Sequence, residues 1–139
     1  MPEKRTTDRA RKDADEGKAA STQAGEFVRE EMDHIREGKH GARSSKQAIA
    51  IGLSKARRAG VKLAAPKKGA ASEATRNKAT QDLRKGQVHP NAKPSAKRSK
   101  ATTKALKREG SSAASHKALS KQAKSAAATR KRTARKTKA

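Results

Sequence analysis

The large apolar residues of this chain are concentrated in one stretch. Setting Met1 aside, thirteen residues are Val, Ile, Leu, Met or Phe, and nine of them lie between positions 23 and 63. These nine are Phe27, Val28, Met32, Ile35, Ile49, Ile51, Leu53, Val61 and Leu63. Because the flanking sequence offers so few other apolar side chains, we expect residues 23–63 to form the folded module of the chain.

The first half of this module has the periodicity of an amphipathic helix. Val28, Met32 and Ile35 are spaced i, i+4, i+7, which places them on one face. The pattern predicts a helix over residues 23–37 that Gly38 ends. The opposite face carries acidic residues that we expect to lie in solvent: Glu26, Glu30, Asp33 and Glu37.

The second half of the module begins with a helix-capping signal. Ser44 precedes Gln47 by three residues, which is the spacing of a capping box. The helix is predicted to run over residues 46–59 and to end at Gly60, which is placed to adopt the left-handed conformation found after many helices.

These two helices are predicted to pack antiparallel as a small hairpin. Its packing residues come from both helices: Val28, Met32, Ile35, Ile49 and Leu53. Gly52 and Ala56 are small enough to allow a close approach. Since two short helices bury little apolar area, we expect self-association or a protein partner to cover residues 23–63. A helix-turn-helix DNA reader is an alternative, although the seven-residue turn and the lack of a third core helix count against it.

The remaining sequence is polar and of low complexity. Leu, Ile, Val and Phe account for only twelve of 139 residues, a level at which high net charge usually means disorder. The predicted fold class is mostly α with extensive disorder: a small helical hairpin plus an Ala/Lys-rich tail with conditional helices. Outside the hairpin we expect a disordered mixed-charge leader over 1–22, a linker over 64–96 with a short helix near 73–85, and a basic Ala/Lys/Arg tail over 97–139 that is helical in parts or on binding.

The distribution of charge indicates a polyanionic partner. The formal net charge is +24, yet residues 1–40 carry a net charge of −1 and residues 71–139 carry +17. The chain has no cysteine, no apolar run long enough to span a membrane and no secretory signal, so we expect a cytoplasmic location.

Cations in the tail recur at helical spacing. Intervals of three, four and seven residues would align them as one stripe on each helix. The candidate nucleic-acid-binding residues are Lys93, Lys97, Lys100, Lys104, Lys107, Lys117, Lys121, Lys124, Lys131, Arg135 and Lys138.

The expected function is sequence-nonspecific binding of nucleic acid, with double-stranded DNA favoured over RNA, in a nucleoid-associated or accessory role. Phosphate contacts carry no sequence information, and a single Phe leaves almost nothing to stack on exposed bases. Two alternatives stay open: a polyampholyte stress-protective or interaction protein, and an rRNA- or ribosome-associated protein.

Several segments resemble a known family. Residues 43–60 read RSSKQAIAIGLSKARRAG, residues 26–32 read EFVREEM, residues 38–41 read GKHG, and residues 105–115 and 118–120 read ALKREGSSAAS and ALS. This pattern resembles domain-of-unknown-function family 6496, which consists of small basic bacterial proteins. The resemblance implies a bacterial source and a cytoplasmic location but no activity. The tail is also similar in composition to linker-histone tails.

No enzymatic constellation is recognisable, and we expect neither catalysis, nor a cofactor, nor a metal site. The four histidines have neither metal-ligand spacing nor cysteine companions, so they are interpreted as loop or exposed-helix residues: His34, His40, His89 and His116. A P-loop and a nucleophile elbow are both missing.

Overall fold

A computed structural model describes residues 2–90 and 92–138 of the chain. Met1, Asn91 and Ala139, which belong to the predicted leader, linker and tail, lie outside the described residues. The described residues are mostly helical and contain no β-strand, which confirms the mostly-α class. The elements in chain order are α1 (Lys4–Asp15), α2 (Ala20–Arg36), α3 (Ser45–Arg58), α4 (Glu73–Val88), α5 (Ala96–Lys107), a short 3-10 helix (Ser112–Ala114) and α6 (His116–Lys138).

Helices α2 and α3 form the hairpin expected from the sequence. The Ser44 side chain accepts a hydrogen bond from the backbone N–H of Gln47 at 3.1 Å and caps α3. Gly38 and Gly60 follow the two helices with φ values of +76° and +103°, the left-handed region that glycine adopts without a steric cost.

The five predicted packing residues divide between two apolar clusters. Four of them belong to the first cluster: Val28, Met32, Ile35 and Ile49. Leu53 packs against the second cluster, which is built around Phe27 and Ala56. The first cluster also takes in Ala113, and the second takes in Ala10. Segments from outside the hairpin therefore cover the faces that a second copy or a partner was expected to cover.

Two glycines set how closely the helices approach. A Cβ built on Gly52 of α3 would lie 2.7 Å from Cα of Val28 on α2. A Cβ built on Gly86 of α4 would lie 1.7 Å from the carbonyl oxygen of Arg57 on α3. Both distances are shorter than van der Waals contact allows. The absence of a side chain at Gly52 and Gly86 therefore lets the backbones of the neighbouring helices come into contact.

Where the sequence predicts a disordered leader, the structure has helix α1 packed on α2. Ala10 is buried in the second cluster. The Glu30 side chain accepts hydrogen bonds from the Glu3 backbone N–H at 2.6 Å and from Thr6 Oγ1 at 3.3 Å. Arg9 Nη1 lies 3.8 Å from Glu26 Oε2. Glu26 and Glu30 thus contact α1 rather than solvent, whereas Glu37 is exposed as expected. Complementary charges hold α1 on α2 where α1 has few apolar side chains.

Helix α4 is longer than the short helix predicted near 73–85 and packs on α3 around a buried carboxylate. Asp82 is 1% exposed and accepts hydrogen bonds from Ser54 Oγ at 2.6 Å, Arg58 Nε at 2.9 Å and Lys78 Nζ at 2.9 Å. Burial raises the pKa of Asp82, but the three hydrogen bonds together outweigh it and leave that pKa below its ordinary value.

Replacing Gly52 with alanine should destabilise the protein, although Gly→Ala inside a helix usually stabilises it. The added methyl group would push α2 and α3 apart, and we expect a loss of about 1–3 kcal/mol in the free energy of unfolding. Gly25 of α2 has no atom within 4 Å of an added Cβ, so Gly25→Ala is the matched control and should stabilise by roughly 0.5–1 kcal/mol. Urea unfolding followed by circular dichroism measures both; equal effects would contradict the close packing.

The α3–α4 contact should weaken in acid. Because the pKa of Asp82 is lowered in the folded state, its contribution to stability is present above the ordinary aspartate pKa of about 3.9 and is lost as the pH falls through the folded value. We expect Asp82→Asn to lower the free energy of unfolding by about 1–3 kcal/mol at pH 7 and by less below pH 4. Urea unfolding of both proteins at pH 7, 5 and 3 checks this; a difference that is independent of pH would contradict it.

Candidate nucleic-acid interface

The structure places every predicted nucleic-acid-binding residue at an exposed position. Lys93 precedes α5, and the other ten lie on the last two helices. The four on α5 are Lys97, Lys100, Lys104 and Lys107, and the six on α6 are Lys117, Lys121, Lys124, Lys131, Arg135 and Lys138. We call these two sets the α5 stripe and the α6 stripe.

Each stripe occupies one side of its helix. At about 100° per residue, the α5 stripe spans roughly 80° of arc and the α6 stripe roughly 100°. Helix α5 contains five basic and no acidic residues, and α6 contains nine basic and no acidic residues. Each stripe is therefore a row of cations without an anion on its own helix.

Helix α6 packs on the bundle over only its first half. Its partly buried residues are Ala118, Leu119, Gln122, Ala126 and Ala127, and all but Ala127 lie well away from the stripe. Leu119 packs against the first apolar cluster. Residues 128–138 are all exposed, so about 16 Å of helix, at 1.5 Å per residue, extends from the bundle with six cations.

Residues 106–115, which we call the anchor segment, tie both basic helices to the turn after α2. Four hydrogen bonds make this connection: Gly41 N–H to Leu106 O at 2.9 Å, Ala42 N–H to Gly110 O at 3.1 Å, Arg36 Nε to Ala114 O at 3.0 Å, and Ser45 Oγ to Ala113 O. The turn and the anchor segment are in close contact, since a Cβ built on Gly41 would lie 2.0 Å from Glu109 O. The end of α5 and the start of α6 are thus held at one place.

The interface has no aromatic side chain on which bases could stack. Phe27 is the chain's one Phe, and the chain has no Trp or Tyr. The Phe27 side chain lies in the second apolar cluster, and the residue is 1% exposed. The arrangement suits contacts to phosphates rather than to unstacked bases. Among the described residues, no helix is both long and apolar enough to cross a membrane.

The structure also brings together a histidine–carboxylate cluster that the sequence analysis missed. Glu31, His34 and His40 each offer a ligand atom within 4.8 Å of the others. His34 is 15% exposed, so the expectation of an exposed-helix histidine is wrong for it, whereas His40 lies in a loop as expected, with its side chain only 12% exposed. The i, i+3 spacing of Glu31 and His34 on α2 was the available signal, whereas His40 lies in a turn.

A second carboxylate contacts this cluster. His34 Nε2 lies 3.1 Å from Glu3 Oε1, and Lys39 Nζ lies 3.5 Å from the same oxygen. The hydrogen bond from His34 is the main cause that lowers the pKa of Glu3. Glu3 therefore faces the cluster in its ionised form at neutral pH.

Comparison with known proteins finds a family model that matches the central part of the chain. Residues 17–69 match the model of a family described as Family of unknown function (DUF6496). This match confirms the resemblance for the segments that lie within it and covers α2, α3 and the turn between them, whereas residues 105–115 and 118–120 lie outside it. Neither the curated proteins nor the solved structures contain a match.

Gly41→Ala should release the anchor segment from the turn after α2. The added Cβ would collide with the Glu109 carbonyl, so we expect the Ala42 amide, which donates to Gly110 O, to exchange with solvent about tenfold faster or more. Gly110→Ala is the matched control, because its Cβ would meet no atom within 4 Å. Amide-resolved hydrogen exchange checks this, and unchanged protection of Ala42 in Gly41→Ala would contradict the docking.

Proposed function

We propose that this chain, whose residues 17–69 match the DUF6496 family model, binds double-stranded DNA through the α5 and α6 stripes, without sequence preference and without catalysis. The observation that carries the proposal is the second half of α6. Residues 128–138 form a helix that is fully exposed, carries six cations and no anion, and extends beyond the bundle. A segment with that charge and no packing partner within the described residues suits an external polyanion.

Geometry and charge density both favour duplex DNA. The duplex carries about one negative charge per 1.7 Å of axis, and each engaged lysine or arginine releases condensed counterions. A helix of roughly 10–12 Å diameter fits the B-form major groove, which is about 12 Å wide. The major groove of A-form RNA is deep and narrow, so the same helix does not fit into it.

The two basic helices are proposed to be conditional. Helix α5 buries no residue, and residues 128–138 bury none either. Cations aligned on one face repel each other, and a helix without packing gains little stability beyond its intrinsic propensity. Phosphates that neutralise the stripe remove this repulsion, so we propose that both segments fray in the free chain and become fully helical on DNA.

The proposed role is that of a nucleoid-associated or accessory protein in the cytoplasm. The helical bundle holds the ends of the two stripes together through the anchor segment. A polyampholyte stress-protective function was suggested by the mixed-charge leader, but that segment is helix α1 and packs on α2. Binding to rRNA remains a distinct outcome of the experiment below.

Two double variants test whether the α6 stripe, rather than net charge, binds DNA. Lys131→Gln with Arg135→Gln removes two stripe cations, and Arg130→Gln with Lys136→Gln removes one arginine and one lysine from outside the stripe. All four residues are exposed, so neither variant disturbs packing. We expect the stripe variant to weaken binding between about tenfold and a hundredfold at 100 mM salt and to make the log–log salt slope shallower by about 1.8.

The measurement is fluorescence anisotropy with a random-sequence 30-base-pair duplex across 50–300 mM salt, and circular dichroism of the same mixtures follows helix content. Equal weakening by the two double variants would mean that net charge alone acts. Tighter binding to an RNA duplex of the same sequence would assign the chain to RNA, and no binding at micromolar protein would refute the proposal.

A further inference from the structure

We propose that Glu31, His34 and His40 form a binding site for a divalent transition-metal ion, with Zn²⁺ the ion that the ligands suit best. The site lies where α2 ends and the turn that holds the anchor segment begins. It does not depend on DNA binding, and its residues lie on α2 and in the turn after α2 rather than on α5 or α6.

His40 fixes the chemistry of the site through its hydrogen bond to the backbone. Its Nδ1 lies 2.9 Å from Gly41 O, and a carbonyl oxygen only accepts, so Nδ1 carries a proton and donates it. When the ring is neutral, the lone pair is then on Nε2, on its other side. Histidine binds a metal through such a ring-nitrogen lone pair.

Glu31 presents an unpartnered oxygen to the same point. The side chain is 0% exposed, and Lys55 Nζ donates to Oε1. Oε2 is buried without a hydrogen-bond partner, although it lies 3.1 Å from His40 Nε2. A carboxylate oxygen and a nitrogen lone pair that face each other repel, and an unpaired buried carboxylate oxygen costs free energy. A cation bound by both atoms removes both penalties.

His34 supplies the third ligand from the last turn of α2. Its Nε2 lies 3.1 Å from Glu3 Oε1, which orients the ring, so Nδ1 is the nitrogen that would bind the ion. Metal-ligating histidines almost always donate their other ring N–H to a carboxylate or a carbonyl, and His34 and His40 each show one of these two arrangements. The two rings are 6.0 Å apart between centroids at an interplanar angle of 81°, so both can face one ion.

Two imidazoles and one carboxylate are a ligand set for Zn²⁺ that leaves a fourth position for water. The three ligand atoms lie within 4.8 Å of one another. A tetrahedral site with bonds of 2.0–2.2 Å needs ligand atoms about 3.4 Å apart, which side-chain rotations can reach. The hydrogen bond from Lys55 fixes the Glu31 carboxylate and contributes no competing ligand.

The first test uses the unmodified full chain, freed of metal by dialysis against a chelator. Zn²⁺ alone is added at pH 7.5 during calorimetric titration and NMR of the histidine ring signals. We expect one ion per chain, a Kd of about 1 μM or below, and shifts of the His34 and His40 rings. Shifts confined to the exposed His89 and His116, or no saturable binding, would overturn the proposal, since a protonated His40 would then pair with Glu31 instead.

Matched variants separate the site from adventitious histidine binding. His34→Gln and His40→Gln should each weaken Zn²⁺ binding by more than about a hundredfold, the upper limit of what loss of an outer partner costs. His89→Gln and His116→Gln, which alter exposed histidines elsewhere, should leave the Kd unchanged. Should a cluster variant fail to fold, Co²⁺ provides an independent test on the unmodified chain. We expect bound Co²⁺ to show visible absorption that one equivalent of Zn²⁺ removes by displacing it. Absence of tetrahedral Co²⁺ bands would refute the site.

Discussion

Buried carboxylates join each neighbouring pair of helices in the bundle. Glu30 connects α2 to α1, Glu31 connects α2 to α3 through Lys55, and Asp82 connects α4 to α3. A chain with only twelve Leu, Ile, Val and Phe residues cannot assemble four helices on apolar contacts alone. A buried carboxylate is costly unless donors contact it, so each of these side chains favours the helix arrangement that supplies its donors, although one oxygen of Glu30 and one of Glu31 have no hydrogen-bond partner.

The same constraint explains why the turn after α2 matters to the rest of the molecule. Glu31 is satisfied by Lys55 on one oxygen and faces His40 on the other, and His40 lies next to Gly41. Gly41 and Ala42 in turn donate backbone hydrogen bonds to the anchor segment, which connects the end of α5 to the start of α6. The position of the two basic helices is therefore set by hydrogen bonds to this turn together with the packing of Ala113 and Leu119 against the first apolar cluster.

Elements whose formation depends on helical period alone were predictable from the sequence. Val28, Met32 and Ile35 identified α2, the Ser44 cap identified α3, and the stripes followed from three- and four-residue spacing. Helix α1 was missed because it docks through one alanine and complementary charges, a pattern that also describes disordered segments. The anchor segment was missed because it is held largely through backbone carbonyls, which are the same for every residue type. The histidine cluster needed the fold, since a turn brings His40 back to α2.

The buried and the exposed charges of this protein respond differently to ionic strength. Glu31 and Asp82 are 0% and 1% exposed, so dissolved ions screen their interactions weakly. The stripe residues are exposed, and the attraction between them and a polyanion falls steeply as salt is added. If the chain binds DNA as proposed, a rise in salt would detach the basic helices from the DNA while the bundle keeps its fold. Loading and release would then cycle repeatedly on one folded molecule, without the losses to aggregation that unfolding would bring.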